Sequence, residues 1–138
     1  MKIRSAILFL FILFIYAGCG ITKVDHAKGK QLCENFLDDL KNENYEGMDK
    51  YFTPSFNENE PLENKISKFQ KIRDAAGQIQ SFELLSEDQK YDDVSAYHQL
   101  KLEYKVNCSR IPLKFTFIVV NHEGKTRMIF QNIENWEP

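Results

Sequence analysis

Residues 91–108, YDDVSAYHQLKLEYKVNC, and residues 111–119, IPLKFTFIV, decide the fold. In the first stretch Val94, Ala96, Leu100, Leu102, Tyr104, Val106 and Cys108 share one parity, while Asp93, Gln99, Lys101, Glu103 and Lys105 take the other. Ile111, Leu113, Phe115, Phe117 and Val119 repeat the alternation. A period of two with one wet face predicts antiparallel strands that pack on a core from one side only. Working outward, Asn121-His122-Glu123-Gly124 has the composition of a hairpin turn, and residues 126–136 make a last strand. On the other side, the β formers of residues 79–85 predict a first strand, and residues 86–90 read as a polar turn after it.

Before Gln78 the period changes to that of a helix. Leu32, Cys33, Phe36, Leu37 and Leu40 form one apolar stripe, with Glu34, Asp38, Asp39 and Lys41 opposite. Tyr45, Met48, Tyr51 and Phe52 predict a second short helix that ends before Pro54. Residues 57–63, NENEPLE, have loop composition. Asn64 suits the cap of a third helix that turns Ile66, Phe69, Ile72 and Ala76 inward, and Gly77 supplies its stop. Helices followed by strands specify an α+β domain: two to three N-terminal helices packed on a curved four-stranded antiparallel sheet, a cone-shaped roll.

The order of these elements, led by FLDDLKNENYEGMDKYFTPSF at residues 36–56, resembles the roll shared by nuclear transport factor two and ketosteroid isomerase. Asn44-Tyr45-Glu46-Gly47 at the helical corner, Phe52 ahead of a proline, and Gly77-Gln78-Ile79-Gln80-Ser81-Phe82 at the entry to the sheet carry the likeness. The resemblance implies a scaffold used widely for binding, and in its enzymes an acid or base inside the cone.

The chain of 138 residues is 43% hydrophobic and 13% aromatic, which suffices for one packed domain and argues against disorder. Ahead of the domain, Lys2 and Arg4 precede the apolar run AILFLFILFIYA at residues 6–17, which ends at Gly18-Cys19. That is the anatomy of an export signal. Twelve residues of helix span roughly 18 Å, well short of the ~30 Å hydrocarbon core of a bilayer. Ile15-Tyr16-Ala17-Gly18-Cys19 resembles the lipobox of bacterial lipoproteins, with Tyr16 where an aliphatic residue is usual. The resemblance implies a signal peptide over residues 1–18, a lipidated Cys19, a tether over residues 19–29 and the roll over residues 30–138. Two acyl chains hold a protein stably at a membrane surface. Gly20 is not the Asp that often retains lipoproteins at an inner membrane, so in a two-membrane envelope the outer membrane is the expected address.

Without Lys2 and Arg4, 16 basic residues face 20 acidic ones, a net charge of −4. That balance argues against nucleic acid as a partner. No catalytic motif, phosphate loop or metal-ligand spacing stands out, and no cofactor is implied; His26, His98 and His122 are scattered. His98 alone among the histidines and acids of the strands has inward parity. Tyr104, Phe115, Phe117, Phe130 and Trp136 with His98 either line an apolar pocket at the mouth of the cone or fill its core. Cys33 and Cys108 both face the core: a disulfide between them would close a loop of roughly 75 residues, worth about 4 kcal/mol, and two separate buried thiols are the other arrangement. Three functions are compatible with these residues. The first is a binding domain for a protein partner or a small apolar ligand. The others are a small enzyme using His98 with Glu83 or a tyrosine, and an assembly subunit that associates through a sheet face carrying Tyr91 and Tyr97.

Overall fold

The computed structural model describes residues 22–138; the expected signal peptide, residues 1–18, and Cys19 lie outside the described residues. Helix α1 (His26–Lys41) opens with the Asp25 side chain accepting from the Lys28 amide at 3.0 Å. It begins inside the stretch expected as a tether, and Gly29 packs so closely on the sheet that a Cβ there would lie 2.6 Å from Leu100 Cδ2. Its expected stripe is buried at Cys33, Phe36, Leu37 and Leu40.

The second helix is replaced by a single 3-10 turn (Met48–Tyr51), and Pro54 starts helix α2 (Pro54–Asn59) instead of ending one. Proline has no amide hydrogen to lose in a first helical turn, and its φ suits that position. Helix α3 (Leu62–Ala76) follows Pro61 directly and stops at Gly77, whose φ of 88° is open to glycine; a Cβ there would meet Ser109 Oγ at 2.0 Å.

Four strands, β1 (Ile79–Asp92), β2 (Tyr97–Cys108), β3 (Leu113–His122) and β4 (Lys125–Asn135), form one antiparallel meander in the order β1-β2-β3-β4, with the helices on one face. The sheet is not closed into a barrel. Strand β1 runs through the predicted polar turn, and the reversal comes at residues 93–96. A register shift between Leu84 and Ser86 adds one residue to β1, which exchanges the faces beyond it. Glu87, Gln89 and Tyr91 therefore pair with Leu102, Leu100 and His98 on the helix-covered side. The inward residues of β2 and β3 are buried as their alternation requires, from Leu100 to Val106 and from Leu113 to Val119. Glu123 and Gly124, both at positive φ, close the β3–β4 hairpin between His122 and Lys125. On the uncovered face, Glu103 accepts from Ser86 at 2.6 Å and pairs with Lys101 at 2.9 Å. Those bonds hold its carboxyl down to about 2.

Phe36 stands at the centre of the core. Its ring meets Tyr51, Phe52, Phe69 and Phe117 edge-on at centroid distances of 5.4, 5.6, 5.6 and 5.7 Å. The chain after the 3-10 turn then joins the sheet edge, where the Thr53 amide donates to the Met128 carbonyl at 3.0 Å.

Among the described residues one charge is wholly buried. Lys65 occupies a helical position in line with Phe69, Ile72 and Ala76, and its Nζ donates to Asp49 Oδ1 and Asn57 Oδ1, both at 2.9 Å, and to the Glu60 carbonyl. The same ammonium lies 5.2 Å from the ring centroid of Phe52 and 5.4 Å from that of Phe56, rings that stack on each other. Asp49→Asn keeps an acceptor and removes the counter-charge, whereas Asp49→Ala removes both. We expect unfolding free energy, read by urea titration, to fall in that order, with a loss on the order of 3 kcal/mol for alanine. Equal midpoints for all three proteins would show that the ammonium needs no counter-charge.

Candidate functional site

Helix α1 runs across the sheet from the end that carries the β1–β2 and β3–β4 turns to the end that carries the β2–β3 connection. At that second end α1 and α3 both terminate, and the cover they give the sheet runs out. The connection is tied to α3 there, because the Arg110 and Ile111 amides donate to the Ala76 carbonyl at 3.0 and 3.2 Å. The gap left between the helix ends and the sheet is an apolar cleft. Leu40, Phe69, Leu113 and Phe115 form its buried floor, and half-buried Tyr45, Ile72, Ile79 and Cys108 form its walls. An ion pair between Arg73 Nε and Glu43 Oε1, at 2.5 Å, lies on its rim. The enclosed space is about 20 Å³, room for about one water molecule. A shallower depression of about 210 Å³ adjoins it across Ile72, lined by Ala75, Ile111, Leu113 and Ile133.

The polar groups in the cleft walls are held neutral. Burial and then the nearby charge of Glu43 push the Tyr45 phenol above its ordinary value. Burial alone raises the Cys108 thiol. A thiol kept protonated is a weak nucleophile, so the walls offer dispersion contacts and weak hydrogen bonds more readily than chemistry.

The aromatics expected at a pocket mouth do not meet in one. Tyr104, Phe115 and Phe117 are fully packed in the core, where α1 lies directly over them, and of these Phe115 alone touches the cleft. Phe130 faces the uncovered side of the sheet at 45% exposure, paired in register with Ile118. Its parity is reversed by a bulge between Ile118 and Val119. Trp136 packs beyond the sheet end, with Lys105 Nζ 5.3 Å from its ring centroid. His98 lies at the opposite end from the cleft, with its ring 5.1 Å from Tyr91.

The acid and base imagined for an enzyme are also kept apart. Glu83 pairs with Lys105 on the uncovered face, seven residues along β2 from His98, or roughly 23 Å at ~3.3 Å per residue. Among the described residues no group of three or more His, Cys, Asp or Glu is placed to hold a metal ion.

Cys33 and Cys108 are free thiols. Cys33 is sealed under α1, where burial and then the charge of Glu34 push its thiol far up. Cys33 lies beside Tyr104, whereas Cys108 lies four residues further along β2, roughly 13 Å from Tyr104. The sequence places the residues that build the cleft on helix faces and strand parities, and nothing in their order marks that they converge. The signal available was the coincidence of a helix stop at Gly77 with the strand start at Ile79, which marks where layered cover ends.

At pH 8 we expect a soluble thiol reagent to label Cys108 several-fold more slowly than free cysteine, and Cys33 only at the rate of global unfolding, both read by peptide mass spectrometry. Fast labelling of Cys33 in the folded protein would instead show α1 lifting from the sheet. Among known proteins, no family model matches this chain and no curated sequence matches it.

Proposed function

We propose that this chain is a cell-envelope lipoprotein whose domain, resembling the nuclear-transport-factor-two-like roll, receives an apolar side chain of a protein partner in the cleft of Tyr45, Ile72 and Cys108. The observation that carries the reading is the apolar end of the molecule: the cleft and its neighbouring depression place Tyr45, Ile72, Ile79, Cys108, Ile111 and Ile133 at one surface. Ile111 there is 42% exposed. Clustered exposed apolar side chains favour association. An enclosed space of about 20 Å³ is far below the 300 Å³ or more typical of small-molecule pockets, which favours a partner's apolar side chain laid across the cleft and the adjoining depression of about 210 Å³ over an enclosed ligand. The export signal and lipobox-like stretch supply the address.

Two outcomes follow. In cells that export lipoproteins, the mature protein should begin at an acylated Cys19 and fractionate with membranes, while Cys19→Ser should leave it unacylated and in the soluble fraction. An intact leader on the mature protein would remove the anchor. A photo-crosslinking amino acid placed at Ile72 should yield one discrete adduct in intact cells, and the same group at His98 should yield none. Adducts from position 98 alone would move the binding surface to the other end of the sheet.

A further inference from the structure

The chain enters the domain at one defined place. The Val24 amide donates to Gln89 Oε1 at 2.7 Å and the Gln89 amide donates back to the Val24 carbonyl at 3.1 Å, with the Val24 side chain buried in the core. Asn121 Nδ2 donates to the Lys23 carbonyl at 3.0 Å and to Thr22 Oγ1 at 3.2 Å. Residues 22–24 are thereby stitched to β1 and β3 next to the β3–β4 turn. The β1–β2 turn lies at the same end, as the 3.5 Å contact between the Tyr97 hydroxyl and His122 Nδ1 records. Cys19 is three residues from Thr22, a reach of about 11 Å at most. Strand β2, with twelve residues, is roughly 40 Å long. On so short a tether a domain of that length cannot stand inverted, with its far end on the surface that holds the anchor and its near end away from it.

The near end carries what a lipid interface accepts. Val94 is 96% exposed at the tip of the β1–β2 turn, and Tyr91 beside it is 50% exposed. Lys23, Lys90 and Lys125 are balanced there by Asp92, Asp93 and Glu123, so net charge does not draw this end to anionic lipid. The tether and the apolar tip do.

We infer that the domain, held through Cys19, stands with its two hairpin turns against a lipid bilayer, Val94 and Tyr91 entering the headgroup region and the Cys108 cleft facing away. This rests on the proposed acylation of Cys19. An aliphatic or aromatic tip settles at such an interface because its apolar part leaves water while the charged groups beside it, here Lys90, Asp92 and Asp93, stay hydrated.

The native protein contains one tryptophan, Trp136, whose amide is bonded to the Pro112 carbonyl at the far end of the sheet. The test compares acylated wild type with acylated Val94→Trp/Trp136→Phe, each reconstituted in phosphatidylcholine–phosphatidylglycerol vesicles with and without brominated acyl chains. Emission from position 94 should lie to the blue of that from the unacylated Cys19→Ser form of the same variant, and brominated chains should lower it at least twofold while leaving Trp136 of the wild type unchanged. Protein that floats with the vesicles while position 94 stays unquenched overturns the orientation and leaves the anchor standing. A blue shift without quenching means that a second copy or another protein covers Val94, which also overturns it. Wild type that floats no better than Cys19→Ser overturns the anchor, and the orientation falls with it.

Discussion

The edge-to-face seat of Phe36 among Tyr51, Phe52, Phe69 and Phe117 is the contact on which the remaining architecture depends. These four rings belong to the 3-10 turn and the segment after it, to α3 and to β3, so a single side chain of α1 fixes three separate parts of the chain. Each such pair contributes about 0.5–1.5 kcal/mol beyond the burial of its area, and edge-on geometry sets direction as well as distance. Once Phe36 is seated, α1 has one height and one roll angle over the sheet. Gly29 then passes against Leu100 near one end, and Leu40 comes to rest in the floor of the cleft at the other.

Lys65 does for the small elements what Phe36 does for the large ones. Its ammonium gathers acceptors from the 3-10 turn, from α2 and from the α2–α3 link, and holds α2, a helix of six residues that buries no side chain fully. Burying a cation costs free energy that a neutral apolar residue would not, and the cost is offset because Asp49 remains nearly half-exposed and keeps part of its hydration. The directional bonds of the ammonium select one arrangement of residues 49–65, where apolar packing alone would permit several.

The two ends of the sheet have opposite characters for a reason rooted in chain direction. Residues 22–24 and the amide of Gln89 close the end with the paired hairpins. At the other end the helices run out before the strands do, and the Arg73–Glu43 pair spans the rim without filling the gap. The proposed tether and the proposed binding surface thus fall at opposite ends of β2.

Much of this was determined by the sequence alone. The stripe of α1, the stop at Gly77, the parity of β2 and β3 and the turn at Glu123-Gly124 are local facts, because a helix or strand exposes its period in adjacent residues and a tight turn needs particular backbone angles. The apolar run of residues 6–17 and the cysteine after it, on which the proposed anchor rests, are equally local. Only the tertiary structure decided the rest. The register shift near Leu85 looked like a turn because the polar residues after it lie on an edge strand, where neither β propensity nor parity marks the pairing. The burial of Lys65 is not legible in its own segment, because its three oxygen partners come from residues five to sixteen positions away and converge only after folding. The cleft, the separation of His98 from Glu83 and the parting of Cys33 from Cys108 depend on where layers end and how far apart registers place two residues. Those are distances across the fold, and residue order along one segment does not carry them.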